Sequence, residues 1–212
     1  YQTEGRGRLG NRWLSPFASA VCLSVFWRFD SPGEIAGLSL AVAVGLIRAF
    51  RRLGISSVRL KWPNDLFLES SKLGGILIEM AGEAHGACWV VVGVGINYQL
   101  PAAMKAAIDQ PSADLERLPC GGLPGRNRLI GAMINELLPV LDAYPSLGLE
   151  SFLPEWREAH GFKGCAAALR LGEEEIFGTI EDVNADGLLM FRTREGTVRT
   201  YASGEVRLRI DP

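Results

Sequence analysis

The hydrophobic positions of this chain change period several times along its length, and each change marks an element. Val21 to Phe29 packs seven large apolar or sulfur side chains into nine positions ahead of a Ser31-Pro32-Gly33 break, which predicts a strand. The apolar stretch Ile35 to Ile47, bounded by Glu34 and Arg48, is shorter than the roughly 20 residues that span a bilayer, so it reads as a buried helix. Ser31 or Gly33 can cap that helix, which runs to about Leu53 and ends at Gly54. Strands follow at Ser57 to Trp62, Leu73 to Met80 and Trp89 to Ile96, each rich in Val, Ile, Leu or Trp and flanked by turn residues. The combination predicts an α+β fold in which a mixed sheet is backed by helices.

Pro101 to Arg126 holds four prolines among glycines and charges and reads as a long loop with one short helical piece. Helices are expected at Asn127 to Tyr144 and Leu149 to His160. After Gly161 the pattern shortens to runs at Ala166 to Leu171, Glu175 to Val183, Leu188 to Thr193, Thr197 to Tyr201 and Val206 to Ile210. Gly172-Glu173, Asp186-Gly187 and Glu195-Gly196 supply the residues that tight hairpins require, so this part predicts a small antiparallel barrel. Two domains are expected, residues 1–162 and 163–212.

Composition narrows the class. With 212 residues and 48% hydrophobic side chains, the chain can bury a substantial core. A formal net charge of -2 supplies no bulk positive field for nucleic acid or anionic membrane, so any anion site must be local. Cys22, Cys88, Cys120 and Cys165 are scattered without a CxxC pair, and only His85 and His160 could join them, which argues against a zinc site or a disulfide framework. Buried, reduced thiols favour a cytoplasmic setting. No signal peptide opens the chain, and its start at Tyr1 rather than Met leads us to expect that residues upstream are missing.

Three segments carry candidate chemistry. Gly5-Arg6-Gly7-Arg8-Leu9-Gly10-Asn11-Arg12-Trp13 combines glycines that let backbone amides approach an anion, guanidinium groups that bind phosphate or carboxylate, and a stacking ring. Gly5, Gly7 and Gly10 satisfy GxGxxG, yet no apolar strand precedes them, so a dinucleotide site is a poor reading. On composition alone a flexible basic loop or an RNA-binding arginine-glycine tail reads equally well. In the second segment, Lys61-Trp62-Pro63-Asn64-Asp65 gathers polar groups at a sheet end, and Lys72 opens the next strand beside Gly74 and Gly75. A lysine there is often only a solvated edge charge, and Asn64-Asp65 could simply hold a turn. The third segment, Val90 to Asn97, is a buried strand in which Gly93 and Gly95 permit close approach, with Asn97 as a ligand contact or a strand cap.

In this order, Gly-Arg-Gly-Arg-x-Gly-x-x-Trp, Lys-Trp-Pro-Asn-Asp, Lys-Leu-x-Gly-Ile-Leu and Gly-x-Gly-Ile-Asn resemble the catalytic domain of biotin–protein ligases. Glu175 to Gly178 and Gly204 to Arg209 resemble that family's C-terminal domain. The resemblance implies a class II synthetase-like catalytic domain followed by an SH3-like barrel. It implies biotin as substrate, ATP with Mg as co-substrate and activator, formation of biotinyl-5′-AMP, and transfer to a lysine of a biotin carboxyl carrier domain. By resemblance, Lys72, Arg6 and Arg8 would serve the reacting acyl phosphate, and Gln2, Gly5, Gly74, Gly75 and Gly93 would line the biotin pocket. Trp13 would cover the adenine, Lys61, Asn64, Asn97 and Arg209 would serve the nucleotide, and Asp65 would be the magnesium-side carboxylate.

Two departures stand out. Leu9 and Asn11 occupy positions where the family commonly has arginine, so the loop carries less charge. The resemblance also begins inside the catalytic domain, without the upstream Ser/Thr-Asn strand or a DNA-binding helix-turn-helix, so a shortened chain with an incomplete biotin pocket is expected. No membrane or nucleic-acid partner is expected for this part, and the resemblance allows a homodimer. Two other readings stay open: a lipoate–protein ligase-like enzyme, and a non-enzymatic nucleic-acid-binding module.

Overall fold

A computed structural model describes residues 1–82, 86–118 and 122–210. His85 and Cys120, counted above among potential ligands, lie outside them. The first sheet is built from β1 (Ala20–Phe29), β2 (Val58–Lys61), β3 (Asp65–Leu68), β4 (Ser71–Gly82) and β5 (Cys88–Asn97), in the order β1-β5-β4-β3-β2. Every pairing between these strands is antiparallel. The parallel component of the expected mixed sheet is confined to two isolated bridges, Leu60 with His160 and Lys72 with Ser112.

Alternation explains which face the helices cover. Val90, Val92, Val94 and Ile96 of β5 are buried, whereas Gly93 and Gly95 between them point to the opposite, more open face. Helices α1 (Leu38–Arg52) and α3 (Arg126–Leu147) pack together behind the buried face. They meet closely at Gly45, where a Cβ would lie 3.2 Å from Leu137 Cδ2 and 3.4 Å from the Glu136 carbonyl.

The expected capping of α1 by Ser31 or Gly33 needs correction. Pro32–Ile35 forms a separate 3-10 turn, and α1 begins after Gly37, which adopts φ 74°. A side chain at Gly37 would also strike Leu149, with 2.6 Å between its Cβ and Leu149 Cδ2, so the chain must break where it docks. Likewise Leu149 to His160 is not one helix: a 3-10 turn at Leu149–Ser151 precedes α4 (Leu153–Ala159), and His160 is extended and pairs with Leu60. The proline-rich segment contains one short helix, α2 (Ala102–Ala107), and a 3-10 turn at Leu115–Arg117.

The second sheet comprises β6 (Ala166–Leu171), β7 (Glu174–Val183), β8 (Leu189–Thr193), β9 (Val198–Tyr201) and β10 (Arg207–Ile210), ordered β10-β6-β7-β8-β9 and antiparallel throughout. Its turns use the glycines the sequence marked: Gly172, Gly187 and Gly196 adopt φ 59°, 80° and 87°. Buried apolar side chains of both sheets form one contiguous core, from Val21 to Leu208. Among the described residues no helix is long and apolar enough to cross a membrane.

Candidate active site

The β2–β3 hairpin carries Lys61, Asn64 and Asp65 to one end of the first sheet, where Asp65 pairs with Gly75 of β4. A register shift between Leu66 and Phe67 brings Lys72 alongside, and its Nζ lies 2.7 Å from Asp65 Oδ1. Gly75 makes room for the pair: a Cβ there would already sit 3.5 Å from that oxygen and 3.6 Å from Lys72 Cε. Asn64 braces the turn, since its Nδ2 donates to the Ile76 carbonyl at 2.6 Å. Lys61 Nζ donates to the Leu208 carbonyl of β10 at 2.9 Å. Burial holds the Lys61 ammonium below the ordinary lysine pKa; Asp65 opposes that shift, while Lys72 and Arg209 reinforce it. Arg209 is therefore close enough to be felt at the same cluster.

The arginine-bearing segment folds as a hairpin, with bridges between Gln2 and Ser15 and between Arg6 and Arg12. Its tip is a 3-10 turn, Arg8–Gly10, in which Leu9 and Gly10 take φ 55° and 74°. Gly5 is required by close approach, because a Cβ there would lie 2.4 Å from the Trp13 carbonyl oxygen. The turn sends Arg8 inward: Nη1 donates to Asn64 Oδ1 at 3.3 Å and Nη2 donates to the Ser203 carbonyl. Burial lowers the Arg8 pKa and the Asp65 charge opposes the shift, so the Arg8 guanidinium and the Lys72 ammonium share one carboxylate neighbour. Arg6 and Gln2 are exposed and make no side-chain hydrogen bond or ion pair among the described residues.

From this charged end the open face of the sheet continues over β4, β5 and β1. Register places Cys22, Gly95 and Gly75 in one row and Ser24, Gly93 and Leu77 in the next, so small residues floor it. Trp13 lies against that floor: a Cβ at Gly95 would sit 2.8 Å from Trp13 Cε2 and Cζ2. The indole Nε1 is buried without a protein partner. The arrangement offers cationic donors at one end and, beside them, a glycine-rich sheet face on which the Trp13 ring rests, which suits an anionic group next to an apolar, flat one.

The structure thus gathers Arg8, Lys61, Asn64, Asp65, Lys72 and Arg209, while Arg6 and Gln2 stay on the solvent side of the hairpin. Gly74 differs from its expected role, because its missing side chain accommodates the core: a Cβ would meet Ile96 Cδ1 at 2.7 Å. Asn97 is also placed otherwise. It is buried, and its Nδ2 donates to the carbonyls of Ala113, at 3.0 Å, and Lys72, at 3.4 Å. Trp13 is set over the glycine floor. Three contributors escaped the sequence reading, namely the carbonyls of Ser203 and Leu208 and the Pro111–Ala113 backbone, which pairs with Lys72. Main-chain groups are common to all residues and leave no sequence signal.

Asp65 does not fit a magnesium ligand as placed. It faces Lys72 at 2.7 Å with Arg8 and Lys61 nearby, and among the described residues no group of three or more His, Cys, Asp or Glu could hold a metal ion.

Comparisons with known proteins identify the family. A family model described as the biotin/lipoate A/B protein ligase family matches residues 1–97, and one described as the biotin protein ligase C terminal domain matches residues 163–209. The chain is 35% identical over 210 residues to the bifunctional ligase/repressor BirA of Escherichia coli, covering 99% of this chain and 64% of that protein. It therefore spans just under two thirds of that relative's length. It is 30% identical over 227 residues to the biotin–[acetyl-CoA-carboxylase] ligase of Mycobacterium tuberculosis, covering 99% of this chain and 77% of that protein. The solved biotin protein ligase from Aquifex aeolicus in complex with biotin and ATP matches with a TM-score of 0.81 at 25% identity, over 99% of this chain and 86% of that one. On these matches along its whole length, the chain belongs to the biotin protein ligase family.

Proposed function

We propose that this chain carries out ATP-dependent biotin–protein ligation, with residues 1–162 as the biotin- and ATP-binding domain and residues 163–212 as the C-terminal domain. In the first step a biotin carboxylate oxygen bonds to the α-phosphorus of ATP and pyrophosphate leaves, giving biotinyl-5′-AMP. In the second the ε-amine of an acceptor lysine on a biotin carboxyl carrier domain attacks the acyl carbon, forming an amide and releasing AMP and a proton. Both transition states concentrate negative charge on oxygens, so preplaced cations lower the barrier.

The observation that carries this reading is that the Lys72 ammonium, paired with Asp65, and the Arg8 guanidinium, hydrogen-bonded to the adjacent Asn64, come together beside the glycine-rich face of the sheet. Lys72 would touch the biotin carboxylate and α-phosphate, displacing its pairing with Asp65. Arg8 would hold the acyl phosphate, with Arg6 able to join from the exposed side of the hairpin. Lys61 and Arg209 add positive potential on the C-terminal side of the same cluster. Gly75 and Gly93 would line the biotin ring site, and Trp13 would cover the adenine. Magnesium would enter on the phosphates of ATP, where it offsets their charge. Cys22, Cys88 and Cys165 are free thiols, in keeping with a cytoplasmic setting.

The test is biotin-dependent exchange of pyrophosphate into ATP, which Lys72→Ala abolishes in a protein that still folds. Absence of exchange from the folded natural protein overturns the reading. Arg8→Gly removes one charge-assisted phosphate contact, so rapid-quench analysis should find biotinyl-5′-AMP released faster. A lipoate-specific enzyme would share the first step, and competition between the two acids separates them; the biotin-type match over residues 163–209 favours biotin. A nucleic-acid-binding module would bind without ATP and weaken steeply with salt, but Arg8 is turned into the cluster rather than outward.

A further inference from the structure

We propose that Asp114 is a positioning residue that clasps the Pro111–Ala113 backbone against Lys72; the consequence for catalysis rests on the biotin-adenylation reading above. Asp114 is 0% exposed, yet it lies in a segment that the sequence marks as loop. Its Oδ2 accepts from the Leu100 amide at 2.8 Å and from Lys105 Nζ, in α2, at 2.8 Å. Its Oδ1 is buried and has no partner among the described residues. A carboxylate enclosed this way costs more than an apolar side chain of similar volume unless the geometry it imposes is needed elsewhere.

That geometry leads directly to Lys72. The amide of Ala113, next in the chain to Asp114, donates to the Lys72 carbonyl at 2.9 Å, and the Lys72 amide donates to the Pro111 carbonyl at 2.9 Å. Asn97 Nδ2 seals the same junction by donating to the carbonyls of Ala113 and Lys72. The short strip Pro111-Ser112-Ala113 has little strand propensity of its own, so it stays against β4 only if its flanks are pinned. Asn97 pins one side. Asp114 pins the other by tying the strip to the chain at Leu100 and to α2 through Lys105. The head of β4 is thereby held as an inner strand rather than a frayed end, and the Lys72 side chain starts from a fixed Cα.

The experiment uses the full chain with Lys105→Gln, which removes the counter-charge from a partly exposed position, and Asp114→Asn, which keeps the shape of the carboxylate. Amide hydrogen exchange of the ligand-free protein should quicken at Lys72 and Ala113 by about tenfold or more, with Val92 and Val94 in the centre of β5 unchanged. In biotin-dependent pyrophosphate exchange, kcat should fall by about tenfold while KM for biotin stays within about twofold, because a displaced Lys72 fails mainly in the transition state. Lys105→Arg should restore both readouts. Unaltered exchange at Lys72 and Ala113 in Lys105→Gln overturns the clasp, and so does faster exchange with kcat intact. Should the unaltered protein show no biotin-dependent activity, the adenylation reading fails, while the amide-exchange measurement still judges the clasp.

Discussion

The two five-stranded antiparallel sheets obey the same pairing rules and serve the candidate site in opposite ways. The first contributes side chains: Asp65, Lys72 and the glycines of β4 and β5, on a face the helices leave open. The second contributes the Arg209 side chain and, beyond it, main-chain oxygens. Arg8 donates to the Ser203 carbonyl, Lys61 to the Leu208 carbonyl at 2.9 Å, and Trp62 Nε1 to the Gly187 carbonyl at 3.0 Å. The second sheet therefore orients cations without presenting an acid that would neutralise them. Such contacts depend on the placement of a strand or turn and hardly at all on its side chains.

That contrast can be broken in order of expected effect. Lys72→Ala removes a side chain of the first sheet and should lower biotin-dependent pyrophosphate exchange by roughly 100- to 1000-fold, as loss of one charge-stabilising donor does elsewhere; an effect below tenfold would remove Lys72 from the reacting centre.

The junction between the two sheets is sensitive to pH through His160, which burial against Trp156 and Phe162 drops to about 4. Its folded pKa lies below its unfolded one, so the unfolded chain takes up the proton first. Stability is fully present above the unfolded pKa near 6.5, falls as the pH drops from there toward 4, and levels off below. The loss should approach about 3 kcal/mol, the order expected for such a shift. His160→Phe should remove that part of the slope in thermal melts at pH 7 and pH 4.5; an unchanged slope refutes the assignment.

Trp62→Phe takes away the donor to Gly187 and part of a ring that is 1% exposed. Denaturant unfolding should register about 2 kcal/mol of lost stability. Ser203→Ala should be nearly silent, within about 0.5 kcal/mol and without a change in KM for ATP, because the carbonyl that Arg8 uses remains. A marked defect in Ser203→Ala would show that the second sheet works through its side chains after all.

Much of the fold was legible because its signals are local. The apolar run Val90 to Ile96 read as a buried strand, of which the structure buries one face, and Gly172, Gly187 and Gly196 marked hairpin turns where they do adopt positive φ. The site was legible in outline, since Lys72, Asp65 and the arginine-glycine segment carry unusual chemistry for their settings. Which arginine turns inward was not legible. Arg6 and Arg8 stand on either side of Gly7, and the choice depends on a turn that pairs Arg6 with Arg12 and carries Arg8 to Asn64 and Ser203. Asn97 read by itself as a strand cap and by resemblance as a nucleotide contact, and Ala113, a partner far along the chain, is what the structure gives it.

By itself, then, the amino-acid order determined the elements, the faces they bury and the stock of charged groups, because periodicity and turn chemistry act over a few neighbouring residues. Tertiary structure decided which of those groups meet. Segments as distant as Arg8, Asn64, Asp114 and Leu208 share hydrogen bonds with one another or with their neighbours only after two sheets and a proline-rich loop have packed. The partners they find include main-chain carbonyls, which every residue possesses and which only position in space can distinguish.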